Sequence, residues 1–183
     1  MIMTASELRQ FITTDETDQV LEAKLLALEL LIRAYTNNNF QVRAFRGVAV
    51  AMSSGHQLMM NTANPFKAGD TLQITESELN AGLVNVRTSS NGTISVKEEL
   101  HDESGVVITK VVYPMDVKMG VANLMKWELD NREKVGIASE SISRHSVTYV
   151  DQTGENTVMG YPVALMGFLK PYQKARFGQG LRA

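Results

Sequence analysis

The residues that could carry chemistry are few and scattered. Three histidines stand at positions 56, 101 and 145, each alone, with no second ligand at metal spacing. His56 and His101 sit beside turn signals, where an exposed histidine is expected, so no metal site is read. Serines cluster at 139, 141, 143 and 146 around His145, and Asp151 follows. A nucleophile, base and orienter could be sketched there. The chain lacks a Gly-x-Ser-x-Gly elbow, and a triad is defined by geometry rather than nearness in sequence, so a polar loop is the reading. Gly178, Gln179 and Gly180 imitate a phosphate loop without the strand and helix that make such glycines work. Glu76 with Glu78, and Glu98 with Glu99, are carboxylate pairs with no cleft signalled around them. No constellation supports an enzyme, and no cofactor is expected.

The elements behind these residues are easier to read. Residues 17–35, TDQVLEAKLLALELLIRAY, place Val20, Leu21, Leu25, Leu28, Leu31, Ile32 and Tyr35 on one side of a 3.6-residue helix. Ala23, Leu26, Ala27 and Leu30 widen that apolar surface past half the circumference, so the helix is expected to pack on more than one side. Acids at its start and Thr36-Asn37-Asn38-Asn39 at its end bound it. Before it, Thr4-Ala5-Ser6-Glu7 reads as a capping box opening a short helix through Leu8, Phe11 and Ile12.

Strand signals fill residues 41–112. Phe45, Val48, Val50 and Met52 are apolar among small or polar neighbours, the last three with period two, which reads as a strand. Residues 57–61 form a second strand, and Leu72 with Ile74 a third. Residues 75–78 could cap one helical turn. Leu83, Val84 and Val86 lead to Asn91-Gly92, the strongest short hairpin signal, and Ile94 and Val96 return. Residues 102–105 read as a turn before the β-branched run 106–112. Five to seven short strands could close as a small barrel or pack as a sandwich. Helix resumes at Pro114, with Val117, Val121, Leu124 and Met125 on one face as far as Asn131. Residues 137–149 read as extended or looped. Tyr161-Pro162 opens a short helix that Pro171 ends or kinks.

The fold class is therefore α+β. Residues 1–40 and 113–183 form a helical core, and residues 41–112 form an inserted all-β module whose two ends must approach each other. The 183 residues carry a formal net charge of −2 and no cysteine, which removes disulfides and thiolate metal sites. No basic face of the kind a DNA reader needs is signalled. No apolar run is long enough to span a bilayer. Residues 1–4 lack the head and apolar stretch of a secretory signal. The tail, residues 172–183, has three basic residues and no acid. It is either a solvated end or an arm that orders on a partner through Tyr172, Phe177, Lys174, Arg176 and Arg182.

Two stretches resemble one family. LRQFITTDETDQVLEAKLLALELLIRAYTNNNF is similar to the N-terminal helical hairpin of the head-to-tail connector (adaptor) proteins of tailed bacteriophages. EKVGIASESISRHSVTYVDQTGENTVMGYPVALMGFLKPYQKARF is similar to their C-terminal half, through Ser139 to Ser143, Ser146 to Tyr149, Tyr161-Pro162 and Leu169 to Tyr172. The β-rich module departs from compact members. The resemblance implies a virion structural protein at the head–tail interface, assembled in the host bacterial cytoplasm. It would form a homo-oligomeric ring, commonly a dodecamer, bound to the portal protein and to a stopper or tail-completion protein. DNA would pass through its channel without sequence-specific contacts, and no membrane is involved. Ile142 and Tyr149 would then belong to an intersubunit or portal-facing loop, and Tyr172, Arg176 and Phe177 to a portal-docking tail. A different class, a nucleic-acid-binding module, would use the β module with Phe45, Phe66, Arg43, Arg46, Lys67 and Arg87.

Overall fold

A computed structural model describes residues 1–62, 64–131, 139–142, 145–148 and 156–175. The chain divides into two compact units: Met1 with Asn38–Tyr113, and Ile2–Asn37 with Pro114–Ala183.

The first unit is a closed antiparallel barrel. Its strands are β1 (Gln41–Met52), β2 (Gln57–Met59), β3 (Thr71–Thr75), β4 (Gly82–Ser90), β5 (Thr93–Val96) and β6 (Glu103–Val111). They run around the barrel in the order β1-β2-β5-β4-β3-β6, with β6 paired back to β1. Of the two sheet architectures open to the sequence, the barrel is the one formed. Its interior is filled by Leu58, Leu72, Ile74, Ile94, Val106 and Ile108, all essentially inaccessible. The ends of the unit meet: Val112 N–H donates to Phe40 O at 3.0 Å, and the Phe40 and Tyr113 rings lie 4.8 Å apart. Asn91 and Gly92 make the β4–β5 hairpin with φ of 26° and 84°, the positive values that turn requires.

Three local expectations are corrected. The alternation in β1 is real, but its faces are inverted: Ala49 and Ala51 fill the interior, and Phe45, Val48 and Val50 are exposed. Small residues suit a narrow barrel interior at this point. Residues 102–105 are not a turn. β6 starts at Glu103, and Gly105, at φ 78°, is the extra residue of a bulge where the register with Ala49 and Val50 shifts. Residues 75–78 form no helical turn. Glu76 is left-handed at φ 52°, and the Glu103 carboxylate gathers the next donors itself. It accepts from Ser77 Oγ at 2.6 Å, Glu78 N at 2.8 Å and Asn80 Nδ2 at 2.7 Å. Those bonds hold its pKa down at about 2, Ser77 first among the causes.

The second unit is helical. α1 (Ala5–Leu8) carries the expected capping box: Glu7 N donates to Thr4 Oγ1 at 3.1 Å, and Thr4 N to Glu7 Oε2 at 2.8 Å. α2 (Asp18–Thr36) is capped by Thr17 and closed by Asn37 in the left-handed region. α3 (Met115–Asn131) contacts α2, and Lys24 pairs with Glu128 at 3.4 Å. Strands β7 (Ser139–Ile142) and β8 (His145–Thr148) pair antiparallel, as do β9 (Thr157–Val158) and β10 (Tyr161–Pro162). The last helix is shorter than expected. α4 (Val163–Met166) gives way to a 3₁₀ segment, Gly167–Tyr172, which contains Pro171. The ring of Phe168 lies against Gly120 of α3, where any Cβ would overlap it.

Candidate assembly surface

The helical unit is built around α2. One face of α2 is buried through Leu21, Leu25, Leu28 and Ile32, all at spacings of three and four. Three polar residues, Glu29, Arg33 and Thr36, are enclosed with them. Glu29 accepts from Ile2 N at 3.1 Å, and Thr36 Oγ1 donates to Ile32 O at 2.7 Å. The opposite face is exposed and carries Ala23, Leu26, Ala27, Leu30 and Ala34, with no charged residue among them. Leu30 is 55% exposed and Leu26 46%. At 100° per residue these five side chains span about 100° of the helix surface. The second apolar side read from the sequence is on the helix, but it is not packed: no described residue covers it.

The C-terminal end of α2 receives the last described residues. Lys174 N donates to Thr36 O at 2.8 Å, and Asn37 Nδ2 donates to Ala175 O at 3.1 Å. Tyr172 Oη donates to the Asp116 carboxylate, 2.7 Å from either oxygen, at the start of α3. That bond raises the phenol's pKa above its ordinary value.

The opposite end is shaped by Arg9. Its guanidinium donates to Thr14 O at 2.8 Å, Glu16 O at 2.6 Å and Asp18 Oδ1 at 2.9 Å. One side chain thereby holds the whole α1–α2 link. Between that link and the end of α3 lies a cleft of about 690 Å³. Phe11, Ile12 and Leu129 line it together with the polar residues Thr13, Thr14, Asp15, Glu16, Lys126 and Asp130.

The residues singled out in the sequence are dispersed. Ile142 lies in β7, its backbone opposite His145 of β8. Tyr149, Arg176, Phe177, Asp151 and residues 178–180 lie outside the described residues. Tyr172 is engaged by Asp116, as above. His56 Nδ1 lies 2.9 Å from Glu98 O, and Glu98 accepts from Asn85 N and Nδ2, each at 2.7 Å. These are bonds that tie barrel loops together. Among the described residues, no group of three or more His, Asp or Glu could hold a metal ion.

The possible nucleic-acid set is also split. Phe66 is buried in the barrel core, where it cannot stack on a base. Arg43 and Phe45 sit in a bulge of β1, since Val42 pairs with Lys110 and Arg46 with the adjacent Thr109. Lys110 Nζ lies 5.8 Å from the Phe45 ring centroid, and Arg46 Nε donates to Thr109 Oγ1 at 2.9 Å. Arg87 belongs to β4, three places from β1 in a ring of six strands and so on the opposite wall. Lys67 is on that wall too, because Gly69 N–H bonds Val86 O of β4.

No protein-family model matches the chain, and no curated protein sequence matches it.

The bare α2 face was present in the sequence as an over-wide apolar stripe. The cleft was not. Arg9 carries no periodic signal, and its three acceptors are defined only once the link folds back on it.

Proposed function

We propose that this chain is a structural protein of a tailed-phage virion, a ring subunit between the portal vertex and the stopper or tail, extending the DNA channel. The observation that carries the reading is the uncharged solvent face of α2. A long helix whose buried and exposed faces are both apolar has a second partner to meet, and a neighbouring copy in a ring supplies one. The N- and C-terminal stretches that resemble connector proteins form the unit that bears this face. The barrel lies in the stretch that compact connectors lack, and it is read as a module on the ring's outer surface. A net charge of −2 suits a channel through which DNA slides, because many Lys and Arg contacts to phosphate would hold it in place.

The test is negative-stain electron microscopy of the purified protein, alone and with the portal protein of the same genome. Rings with a pore about as wide as a duplex, or new density under the portal, are expected. Single particles in both samples would end the proposal.

A further inference from the structure

The barrel closes, but β1 runs past the strand that closes it. β2 pairs only with Val50, Ala51 and Met52, whereas β6 pairs with β1 as far back as Gln41. After Met59 the chain leans away from β1: Met60 N–H donates to Gly92 O at 2.7 Å, on the β5 side. Successive residues of a strand send their main-chain groups to alternate sides. Met60 faces β5, so Met59 faces β1 and meets Val50. Val50 therefore faces β2, and Val48 and Arg46 face the same way, where β2 has ended. Gly47 and Ala49 face β6. Two N–H and two C=O groups thus point away from the ladder, and among the described residues nothing bonds them.

The side chains along this edge suit one kind of occupant. Val48 is 61% exposed, Val50 41% and Met59, opposite Val50, 43%. Arg43 and Arg46 are exposed at one end of the row. The Arg46 guanidinium bonds two neutral groups, Thr109 Oγ1 and Gln41 Oε1. Among the described residues no carboxylate pairs with either arginine. We propose that this edge takes an extended, acidic segment of another protein as an added strand, with apolar side chains along Val48 and Val50 and a carboxylate at Arg46 and Arg43. A nucleic acid has no row of N–H and C=O groups to continue the ladder. The β1 of a second copy would bring Arg43 and Arg46 of both chains onto one short stretch, and like charges there disfavour self-pairing. The edge belongs to the barrel alone, so its occupation is independent of any ring.

Amide exchange followed by NMR on the full-length protein reads the edge directly. In the free protein the N–H groups of Arg46 and Val48 should exchange fast and those of Gly47 and Ala49 slowly. The probe is a blocked hexapeptide that alternates threonine with glutamate, valine and valine, made in both sequence directions. At millimolar concentration one of the two should slow exchange at Arg46 and Val48 about 10-fold. N-methylation of its valines, which removes donors from the added strand, should abolish that protection. Val48→Pro deletes one open N–H without touching the β6 ladder and should weaken binding about 10-fold. Arg43→Glu with Arg46→Glu should abolish binding of the glutamate peptide and confer binding of one with lysine in its place, which keeps the test decisive if the proline variant does not fold. Slow exchange at Arg46 and Val48 in dilute free protein, no protection by either peptide, equal binding of the N-methylated peptide, or stronger protection by a single-stranded oligonucleotide would each overturn the proposal. Protection that grows with protein concentration alone would assign the edge to a second copy and overturn it equally.

Discussion

The two units solve the burial problem differently. The barrel is closed: every strand has two neighbours, and its loops are tied down by its own carboxylates, Glu103 to residues 77–80, Glu98 to Asn85 and Asp102 to Ser53. The helical unit is open. Its longest helix buries one apolar face and presents another to solvent, with Leu26 and Leu30 exposed. A module that satisfies itself can be carried anywhere on an assembly, whereas a helix with an apolar face that no described residue covers has a second surface to bury.

The sharpest way to break this contrast is in the barrel. Ile108→Ala removes a fully buried side chain from the closed core and should cost about 2–5 kcal/mol of stability, read from a denaturant midpoint. In the helical unit, Gly120 lies tightly against the Phe168 ring. Gly120→Ala should cost about 1–3 kcal/mol by overpacking, and a shift within error would show that the ring swings away freely.

A smaller effect is set by pH. The Glu103 pKa is depressed from 4.5 to about 2 in the folded state. Its clasp therefore contributes at and above about pH 4.5, and the contribution is lost as pH falls toward about 2. Glu103→Gln should remove that acid dependence and loosen residues 77–80, seen as faster amide exchange there. Equal acid profiles for the two proteins would contradict the clasp. The smallest effect on the lone subunit belongs to the bare face. Leu30→Glu should change subunit stability by no more than about 0.5 kcal/mol while suppressing self-association. A large loss of stability would mean that Leu30 is a core residue after all.

Much of this was legible in the sequence where one local rule acts alone. The capping box at Thr4, the span of α2, the Asn91-Gly92 hairpin and a strand-built middle all follow from short-range patterns. What failed depended on partners distant in sequence. Residues 75–78 look like a helix start until Glu103 supplies an acceptor from another strand. Residues 102–105 look like a turn because Gly105 is needed, but for a bulge. Period two in β1 identifies a strand without saying which face is inside, and the barrel's narrow interior chose the alanines. For the candidate surface, the α2 face could be read from spacing alone, whereas the cleft could not, because it exists only after Arg9 has gathered the α1–α2 link.

The central claim is that the helical unit is completed by other copies of itself, and the most direct measurement is sedimentation velocity across a concentration series. Wild-type protein should form a discrete species many times the 20.2 kDa subunit mass, and Leu26→Glu with Leu30→Glu should leave a folded monomer. A wild-type monomer at every concentration, with the bare α2 face intact, would contradict the account.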